Sequence, residues 1–338
     1  VRVLGVEPAR NIAALAVADA LPASLLVLIA AISSLTGPLG ATGMRRLFPL
    51  MVPPALWERV NAIDSNGYVV AAILGPPLAA VFVGTFGGPA ALLAIAVLLG
   101  IAAIVLRPVP EPEAEVQTSG RLLVDAWHGV LYTWRNRTLR GVGLSITAVN
   151  IGSGMVSIVV PLLVLDRLGL DEWAVGLVFA VQGVAGVLTG LLAGRMDTRG
   201  REVRLLAGPM VVFVPALALL LLPGLWPLIL SMALMGAANG PMDVSMFTLR
   251  QRRTDPAWMG RAFSISMAFN FAGWPVGAAL AGVIATTSIE AAIVVGVVAA
   301  AVGAVFAATL IPSRDPAVDG RRMPARRSRL TAGDPPPP

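Results

Sequence analysis

The sequence predicts an all-α membrane protein, and three observations support that fold class. Hydrophobic residues make up 57% of the 338 residues and charged residues only 13%, whereas a soluble domain has about 45–50% and about 25%. The apolar residues gather in runs of about 20, the length that an α-helix needs to cross a bilayer. Arginines fill alternate gaps between these runs. Lipid is therefore the expected solvent for much of the surface.

Nine apolar runs predict nine full membrane-spanning helices. In chain order they cover residues 24–43, 62–84, 88–106, 141–165, 173–194, 205–222, 226–249, 262–284 and 291–311. The start of the chain allows two readings, either one span over 11–35 broken at Leu21-Pro22 or two spans joined there. Only the second reading places Arg2 and Arg10 on the same side as Arg45-Arg46. We interpret residues 1–20 as the surviving part of a truncated span, because the chain opens on Val1 in the middle of a pattern.

The orientation follows from the arginines, which supply all 25 basic side chains. Starting at Arg45-Arg46, alternate gaps are rich in arginine, and Arg167 is the exception among the others. Basic residues in short loops mark the cytoplasmic side of a membrane protein. The pattern predicts a multi-pass protein of the bacterial inner (plasma) membrane whose linker and C-terminal tail are cytoplasmic.

Several classes of function are disfavoured by composition. The chain has no cysteine and a single histidine, His128, so we expect no thiolate chemistry, no metal site and no cofactor. No cluster of nucleophile and base suggests an enzyme. The net charge of +6 is better explained by loop arginines held at the anionic cytoplasmic surface than by nucleic acid. The predicted partners are the lipid bilayer, a small-molecule substrate and, if transport is coupled, protons.

A polar stretch, residues 108–140, divides the spans into two groups and predicts a cytoplasmic linker. Residues 108–120 are rich in proline and glutamate. Beyond them, apolar residues recur at helical spacing and predict an amphipathic helix in the headgroup region: Leu123, Trp127, Val130, Leu131 and Trp134. A cytoplasmic extension of the next span is the alternative. The tail, residues 312–338, has no apolar face to bury and is expected to be disordered.

The two groups of spans carry an internal repeat at an offset near 200 residues. Gly37-Pro38 recurs as Gly240-Pro241, and the segment 54–59 recurs as 256–261, with a proline at its start and an arginine at its end. Both copies of this segment lead into a span that contains glycine and proline, around Gly75 after the first copy and Gly273 after the second. Both arginine-flanked loops belong to the same side, so the repeat is parallel.

The repeat, with Leu47 to Pro76, the Asp197-Thr198-Arg199-Gly200-Arg201 loop and Arg250 to Gly282, resembles the major facilitator superfamily (MFS), and most of all its bacterial drug and siderophore exporters. The resemblance implies an MFS-type bundle of two pseudo-symmetric halves. Residues 1–107 would form an incomplete N-terminal half without the family's first two helices, and residues 141–311 a six-helix C-terminal half. It also implies transport by alternating access.

Two motifs match the family's signatures in part. The loop residues Asp197, Arg199, Gly200 and Arg201 resemble its gating loop, in which Gly200 would take a positive φ and Asp197 would pair with a guanidinium or a helix N-terminus. Ala193 replaces a glycine of that pattern, and a plain charged turn is the alternative. Gly75, Pro76 and Pro77 resemble a kinked helix found in antiporters, although three family glycines are alanine here; a simple packing helix is the alternative.

Polar residues inside the spans are the remaining candidates for function. Asp243 could be a protonatable coupling group, but pairing with Arg250 or Arg253 is the favoured expectation. Pore-lining residues are predicted at Asn150, Gln182, Asn239 and Asn270, with interhelical hydrogen bonds as the alternative. The resulting hypothesis is proton-coupled efflux of a small amphiphilic molecule. The alternative is a non-transporting remnant of such a transporter.

Overall fold

The computed structural model describes residue 45 and residues 47–49, 51–108, 122–255 and 258–313. Within these residues it contains nine α-helices: α1 (Trp57–Phe86), α2 (Gly88–Val105), α3 (Leu122–Arg135), α4 (Arg137–Leu162), α5 (Glu172–Gly194), α6 (Glu202–Ala218), α7 (Leu225–Arg253), α8 (Met259–Ile284) and α9 (Ile289–Leu310).

Local sequence signals account for where the helices begin and end. A 3-10 turn at Pro54–Leu56 leads into α1, and Gly87, with φ of 83°, separates α1 from α2. The side chain of Asn136 accepts a hydrogen bond from the Leu139 backbone N–H and so caps α4. Ser288 caps α9 in the same way. Such side-chain oxygens satisfy backbone donors that the first turn leaves unpaired.

Prolines lie inside five of the long helices without ending them. They are Pro76 and Pro77 in α1, Pro161 in α4, Pro209 and Pro215 in α6, Pro241 in α7 and Pro275 in α8. After Pro161 the last turn of α4 widens into a π-helical segment, Leu163–Arg167. Apolar bilayer helices tolerate such breaks because neighbouring helices surround the freed backbone groups.

The hydrophobic core lies in the six helices α4 to α9. α8 and α9 pack against α4, while α7 packs against α5 and α6. The main core cluster draws its members from these helices, including Phe213, Met232 and Ile293. α1 contributes Ala62 to a second, small cluster with Ala193 and Val244, and α1 leans on α5 and α7.

Seven helical segments among the described residues are long and apolar enough to cross a membrane: Gly88–Val105, Arg137–Arg167, Glu172–Gly194, Glu202–Leu221, Leu225–Arg253, Met259–Ile284 and Ile289–Leu310. Each coincides with a predicted span, and the predicted span at 62–84 lies within α1. Many large apolar side chains on these helices face outward, such as Val283, which is 73% exposed. Large apolar side chains on the outer surface are typical of a protein surrounded by lipid rather than by water.

Several predictions concern residues outside those the structure describes. They are the span at 24–43, the partial span at 1–20, Gly37-Pro38, the proline-rich part of the linker and nearly all of the tail. The predicted amphipathic helix is described, as α3, and it is separate from α4 because the chain turns at Asn136. It is therefore not a straight extension of the next span.

Candidate functional site

A cavity of about 1090 Å³ lies between α1 and the helices α4, α5, α7 and α8. It begins near the level of Arg45 and Asp243 and reaches Trp173 in the first turn of α5. Much of its wall is apolar and includes Tyr68, Met246 and Trp274. The space is large enough for a drug-sized molecule, since ligand sites measure about 300–1,000 Å³.

All five polar residues singled out within the spans lie on the wall of this cavity: Asn150, Gln182, Asn239, Asp243 and Asn270. Two of them join neighbouring helices, because the Asn150 amide donates to the backbone oxygen of Asn270 at 2.8 Å. The Asn270 amide in turn donates to the Met246 sulfur at 3.3 Å. Asn150 and Asn270 therefore both line the cavity and form interhelical hydrogen bonds, so the two alternatives predicted for them occur together.

Asp243 faces the cavity and lacks the ion pair that was the favoured expectation. Arg250 donates to the sulfur of Met267 at 3.2 Å, and the ion pairs among the described residues include none between Arg250 and Asp243. Arg253 donates to the backbone oxygen of Pro312 at 2.5 Å. The ion pair is not formed because residues 243 and 250 are two helical turns apart, whereas side chains three or four residues apart are neighbours on a helix. The Arg250 guanidinium is directed into the packing between α7 and α8, where it lies 6.0 Å from the centre of the Phe263 ring.

Two residues that line the cavity carry buried polar atoms with no hydrogen-bond partner among the described residues, the Ser65 hydroxyl and Oδ1 of Asn270, and these mark the floor of the cavity. Beside them, Arg45 pairs with Asp64 at 2.5 Å and stacks 3.9 Å from the Phe247 ring. An unpaired buried polar group costs free energy, so this floor is suited to water or to the polar part of a ligand.

Below the floor, a cluster of four residues, here called the polar latch, joins α1 to the C-terminal helices: Glu58, Thr198, Glu202 and Arg252. Arg252 donates to Glu58 at 2.6 Å and to Glu202 at 2.8 Å. The Thr198 hydroxyl donates to Glu58 at 2.6 Å, and its backbone N–H donates to the same oxygen at 3.2 Å. The latch thereby ties the first turn of α1 to the α5–α6 loop, the start of α6 and the end of α7.

A second layer of amide contacts lies next to the polar latch. The Asn61 amide donates to Gln251 at 2.7 Å and to Thr248 at 3.1 Å. Gln251 donates back to Asn61 at 3.2 Å and to the backbone oxygen of Arg45 at 3.4 Å. Asn61, Thr248 and Gln251 are all at most 2% exposed. Hydrogen bonds so fully buried are costly to leave unmade, so this layer strengthens the attachment of α1 to α7.

The polar latch changes the pKa of the Glu58 carboxyl, which precedes the predicted span at 62–84. Burial by itself would raise the pKa of the Glu58 carboxyl. The hydrogen bond from Thr198 and the positive charge of Arg252 act in the opposite direction, and the net pKa lies below the ordinary value of 4.5. The carboxylate is thus held in its charged form by its partners.

The predicted gating loop lies beside the polar latch, but its contacts differ from the expectation. Gly200 has φ of 72°, the positive value that its place in the turn predicted. Asp197 is exposed and accepts a hydrogen bond from the Arg199 backbone N–H at 3.0 Å. Arg199 and Arg201 are also exposed. The cross-helix contact that was expected of Asp197 is made by its neighbour Thr198, whose side chain points toward Glu58.

The glycines of α1 and α5 differ in how closely neighbouring helices approach them. Gly75, Pro76 and Pro77 lie within α1, and an added Cβ at Gly75 would meet nothing within 4 Å. On α5, Gly190 and Gly194 face Asn66 and Ala62 of α1, while Gly186 faces α7. The glycine stripe of α5 therefore allows close packing on two sides.

Arg252 lies in an arginine-rich gap, after the predicted span at 226–249, but sequence reasoning missed Glu58, Thr198 and Glu202 as its partners. One signal for Glu58 was available, since it is the single acidic residue in the first copy of the repeat, where the second copy has Gly260. Within the described ranges, no group of three acidic or histidine side chains could hold a metal ion.

The Major Facilitator Superfamily sequence profile matches this chain over residues 11–148 and 142–332. The uncharacterized MFS-type transporter y4rN of Sinorhizobium fredii is 35% identical over 299 residues, which cover 85% of this chain and 72% of that protein. The multidrug efflux pump Tap of Mycobacterium tuberculosis is 26% identical over 278 residues. That match covers 78% of this chain and 64% of Tap, so the chain spans less than two thirds of the pump's length.

Two solved structures share the fold. The proton:xylose symporter XylE superposes with a TM-score of 0.66 at 16% sequence identity, covering 86% of this chain and 71% of the symporter. A bacterial homologue of the iron transporter ferroportin, in an outward-facing state, superposes with a TM-score of 0.63 at 15% identity, covering 91% of this chain and 81% of that one. At these identities the likeness shows the arrangement of helices alone.

Proposed function

Because this chain belongs to the Major Facilitator Superfamily, we propose that it is a secondary transporter that exports a small amphiphilic molecule in exchange for protons. Its helices would cross the bacterial plasma membrane, with the arginine-rich ends of α1 and α7 in the cytoplasm. Transport would proceed by alternating access, in which the two sides of the central cavity open in turn.

The observation that carries this proposal is a large cavity that lies next to a dense set of polar contacts between α1 and the C-terminal helices. The cavity of about 1090 Å³ is bounded toward the arginine-rich end by the polar latch and the adjacent amide layer. Most of these contacts join residues of α1 to residues of α7 or to Thr198 in the α5–α6 loop. A contact set that bridges the two halves is one that must separate when the cavity opens toward the cytoplasm. The conformation described here would therefore be the outward-facing one.

The composition of the cavity supports an amphiphilic substrate. Apolar and aromatic side chains such as Phe179, Phe271 and Trp274 form much of the wall. Polar groups are fewer and include Arg45, Asp243 and Asn270 near the floor. A molecule with an apolar body and one polar end would match both regions. Efflux, as the direction, is supported by the similarity to the multidrug efflux pump Tap.

Asp243 is the best candidate for proton coupling. It is a carboxylic acid inside a span, it lines the cavity, and no ion pair holds it among the described residues. It also lies within electrostatic reach of both Arg45 and Arg250. A carboxyl group that can exchange a proton with the cavity could bind substrate and proton at different times.

The test is transport in inverted membrane vesicles that contain the full chain and an imposed inward-acidic pH gradient. Ethidium serves as a fluorescent amphiphilic probe, with Nile red as an uncharged amphiphile. We expect gradient-dependent probe uptake, which nigericin abolishes by collapsing the pH gradient. Uptake that persists without the gradient would exclude proton coupling, and absence of uptake for both probes, beside an active positive-control exporter, would contradict amphiphile export.

Asp243→Asn separates coupling from structure. The proposal predicts that the variant folds with an unchanged thermal unfolding temperature but loses uptake driven by the pH gradient. Arg195→Gln is the matched control, since Arg195 is exposed at the end of α5 and lies away from the cavity. Normal gradient-driven uptake by Asp243→Asn would assign coupling to another group.

A further inference from the structure

The linker helix α3 has one face that is fully engaged with α8. An added Cβ at Gly129 would clash with the side chain of Ile265 and lie 3.3 Å from Cβ of Arg261, so glycine permits a close approach there. The ring of Tyr132 stacks on Trp258 with centroids 4.8 Å apart. The Asp125 carboxylate lies 3.9 Å from the Arg261 guanidinium. This face has its partners within the protein.

The opposite face of α3 is apolar and exposed. Trp127 is 64% exposed and Trp134 is 54% exposed, although large aromatic side chains are usually buried. Val124 is also exposed on this side. The three residues recur at positions i, i+3 and i+10, which places them along one side of a helix. Two exposed indoles on a short helix indicate a surface that binds another molecule or a membrane.

Among the residues that the structure describes, the titratable side chains beside this face are basic. His128 and Arg135 are exposed at its edge, and Arg137 is exposed just beyond it. Arg140 donates to the Trp134 backbone oxygen at 3.4 Å and holds its guanidinium 6.0 Å from the Trp134 ring. The single acidic residue of α3, Asp125, belongs to the engaged face. The exposed face therefore presents indoles next to guanidinium groups that form no ion pair with an acidic side chain in the described part of the chain.

The position of α3 fixes where this face lies. Asn136 alone separates α3 from α4, which is one of the membrane-crossing segments. Trp134 is thus three residues from the start of a span. Indoles are enriched at this level of a membrane because their rings are amphipathic, and arginines beside a bilayer are attracted by anionic headgroups.

From these observations we infer that the exposed face of α3, formed by Val124, Trp127, His128, Trp134 and Arg135, is a docking surface for anionic phospholipid headgroups. The indoles insert at the headgroup level, and Arg135 and Arg137 contact the phosphates. A basic, aromatic face fits a lipid surface better than an acidic peptide, because the face is continuous with the bilayer that surrounds α4. The inference rests on membrane placement and is independent of whether the chain transports anything.

The chain contains no cysteine, so a single introduced cysteine can be labelled without background. His128→Cys carries the environment-sensitive fluorophore NBD on the α3 face, and Thr287→Cys carries it in the exposed loop at the other end of α8. The full-length protein is placed in nanodiscs of phosphatidylcholine, with or without one quarter phosphatidylglycerol. We expect the label at 128 to shift to the blue and to resist iodide quenching only with phosphatidylglycerol, while the label at 287 shows no such dependence.

The double substitution Arg135→Gln/Arg137→Gln, made in the His128→Cys chain, tests the charge. Loss of two surface guanidinium groups should weaken binding to an anionic bilayer roughly 30-fold and abolish the protection. A label at 128 that stays open to iodide in both lipids would overturn the inference and point to a protein partner. Protection that is equal in both lipids, or unchanged in the double variant, would overturn the anionic preference. Thermal unfolding of each labelled protein shows that it is folded.

Discussion

The helices α1 and α8 hold the two copies of the internal repeat, yet they use corresponding positions differently. At the start of α1, Glu58 joins the polar latch and binds Arg252 of α7. At the start of α8, Arg261 and Trp258 instead hold the linker helix α3. One copy therefore ties α1 to α7, and the other copy ties α8 to α3.

The middles of the two helices differ as well. An added Cβ at Gly75 of α1 would meet open space among the described residues. On α8, a Cβ at Gly273 would lie 3.1 Å from Cβ of Asn150 in α4, and Gly277 is packed still more tightly against Ile151. The glycine–proline pattern thus allows close helix packing in α8, whereas Gly75 of α1 has no close neighbour among the described residues. The lesson is that a repeated motif specifies a helix, whereas its neighbours specify its role.

The largest expected effect comes from breaking the α1 contact at its centre. Arg252→Gln leaves Glu58 and Glu202 buried beside each other without their cation, and removing one partner of a buried ion pair costs about 3–5 kcal/mol. We expect a large drop in the thermal unfolding temperature in detergent micelles and a cavity that opens at the arginine-rich end. Arg195→Gln is the control, expected to stay within about 0.5 kcal/mol. Equal thermal unfolding temperatures for the two variants would show that the polar latch does not stabilise the protein.

The second prediction sharpens the contrast between the helix middles. Gly277→Ala would place a methyl group 2.7 Å from the carbonyl carbon of Ile151 and 2.9 Å from its Cα, which are backbone atoms that cannot rotate away. Overpacking of this kind costs about 1–3 kcal/mol. Gly75→Ala is the matched substitution on α1 and should leave the unfolding temperature nearly unchanged. A larger loss for Gly75→Ala than for Gly277→Ala would reverse the comparison.

The third prediction uses pH to act on α1. Because the pKa of Glu58 is lowered in the folded protein, its contribution to stability is fully present above the ordinary value of 4.5 and is lost as pH falls through the folded-state pKa. The unfolding temperature should therefore decline in acid more steeply for the parent chain than for Glu58→Gln. Parallel acid profiles for both proteins would show that Glu58 is not linked to folding.

The smallest effect is expected at the start of α8. Asp125→Asn removes the charge opposite Arg261, but the pair is 3.9 Å apart and partly exposed, and such pairs contribute about 0–1 kcal/mol. Stacking of Tyr132 on Trp258 should keep α3 in place. Limited proteolysis of the linker tests this, since release of α3 by Asp125→Asn alone would mean that the ion pair is the main attachment.

Much of the architecture could be predicted from the sequence. The apolar runs located the spans because helix length in a bilayer is set by its thickness. The helical character of α3 and the positive φ of Gly200 could be expected from local patterns, whereas the separation of α3 from α4 could not. The five polar residues of the spans could be nominated for the cavity wall, because few polar side chains are tolerated in apolar helices.

The tertiary structure alone decided which of these residues meet. Arg252 and Glu58 are 194 residues apart, and Thr198 and Glu58 are 140 apart, so no local pattern could pair them. Asp243 lines the cavity while Arg250, on the same helix, points into the packing against α8. Composition and periodicity determine that a segment is a helix in lipid. The face that it turns toward a cavity or a partner depends on how side chains from distant segments pack together, and that information exists only in the folded bundle.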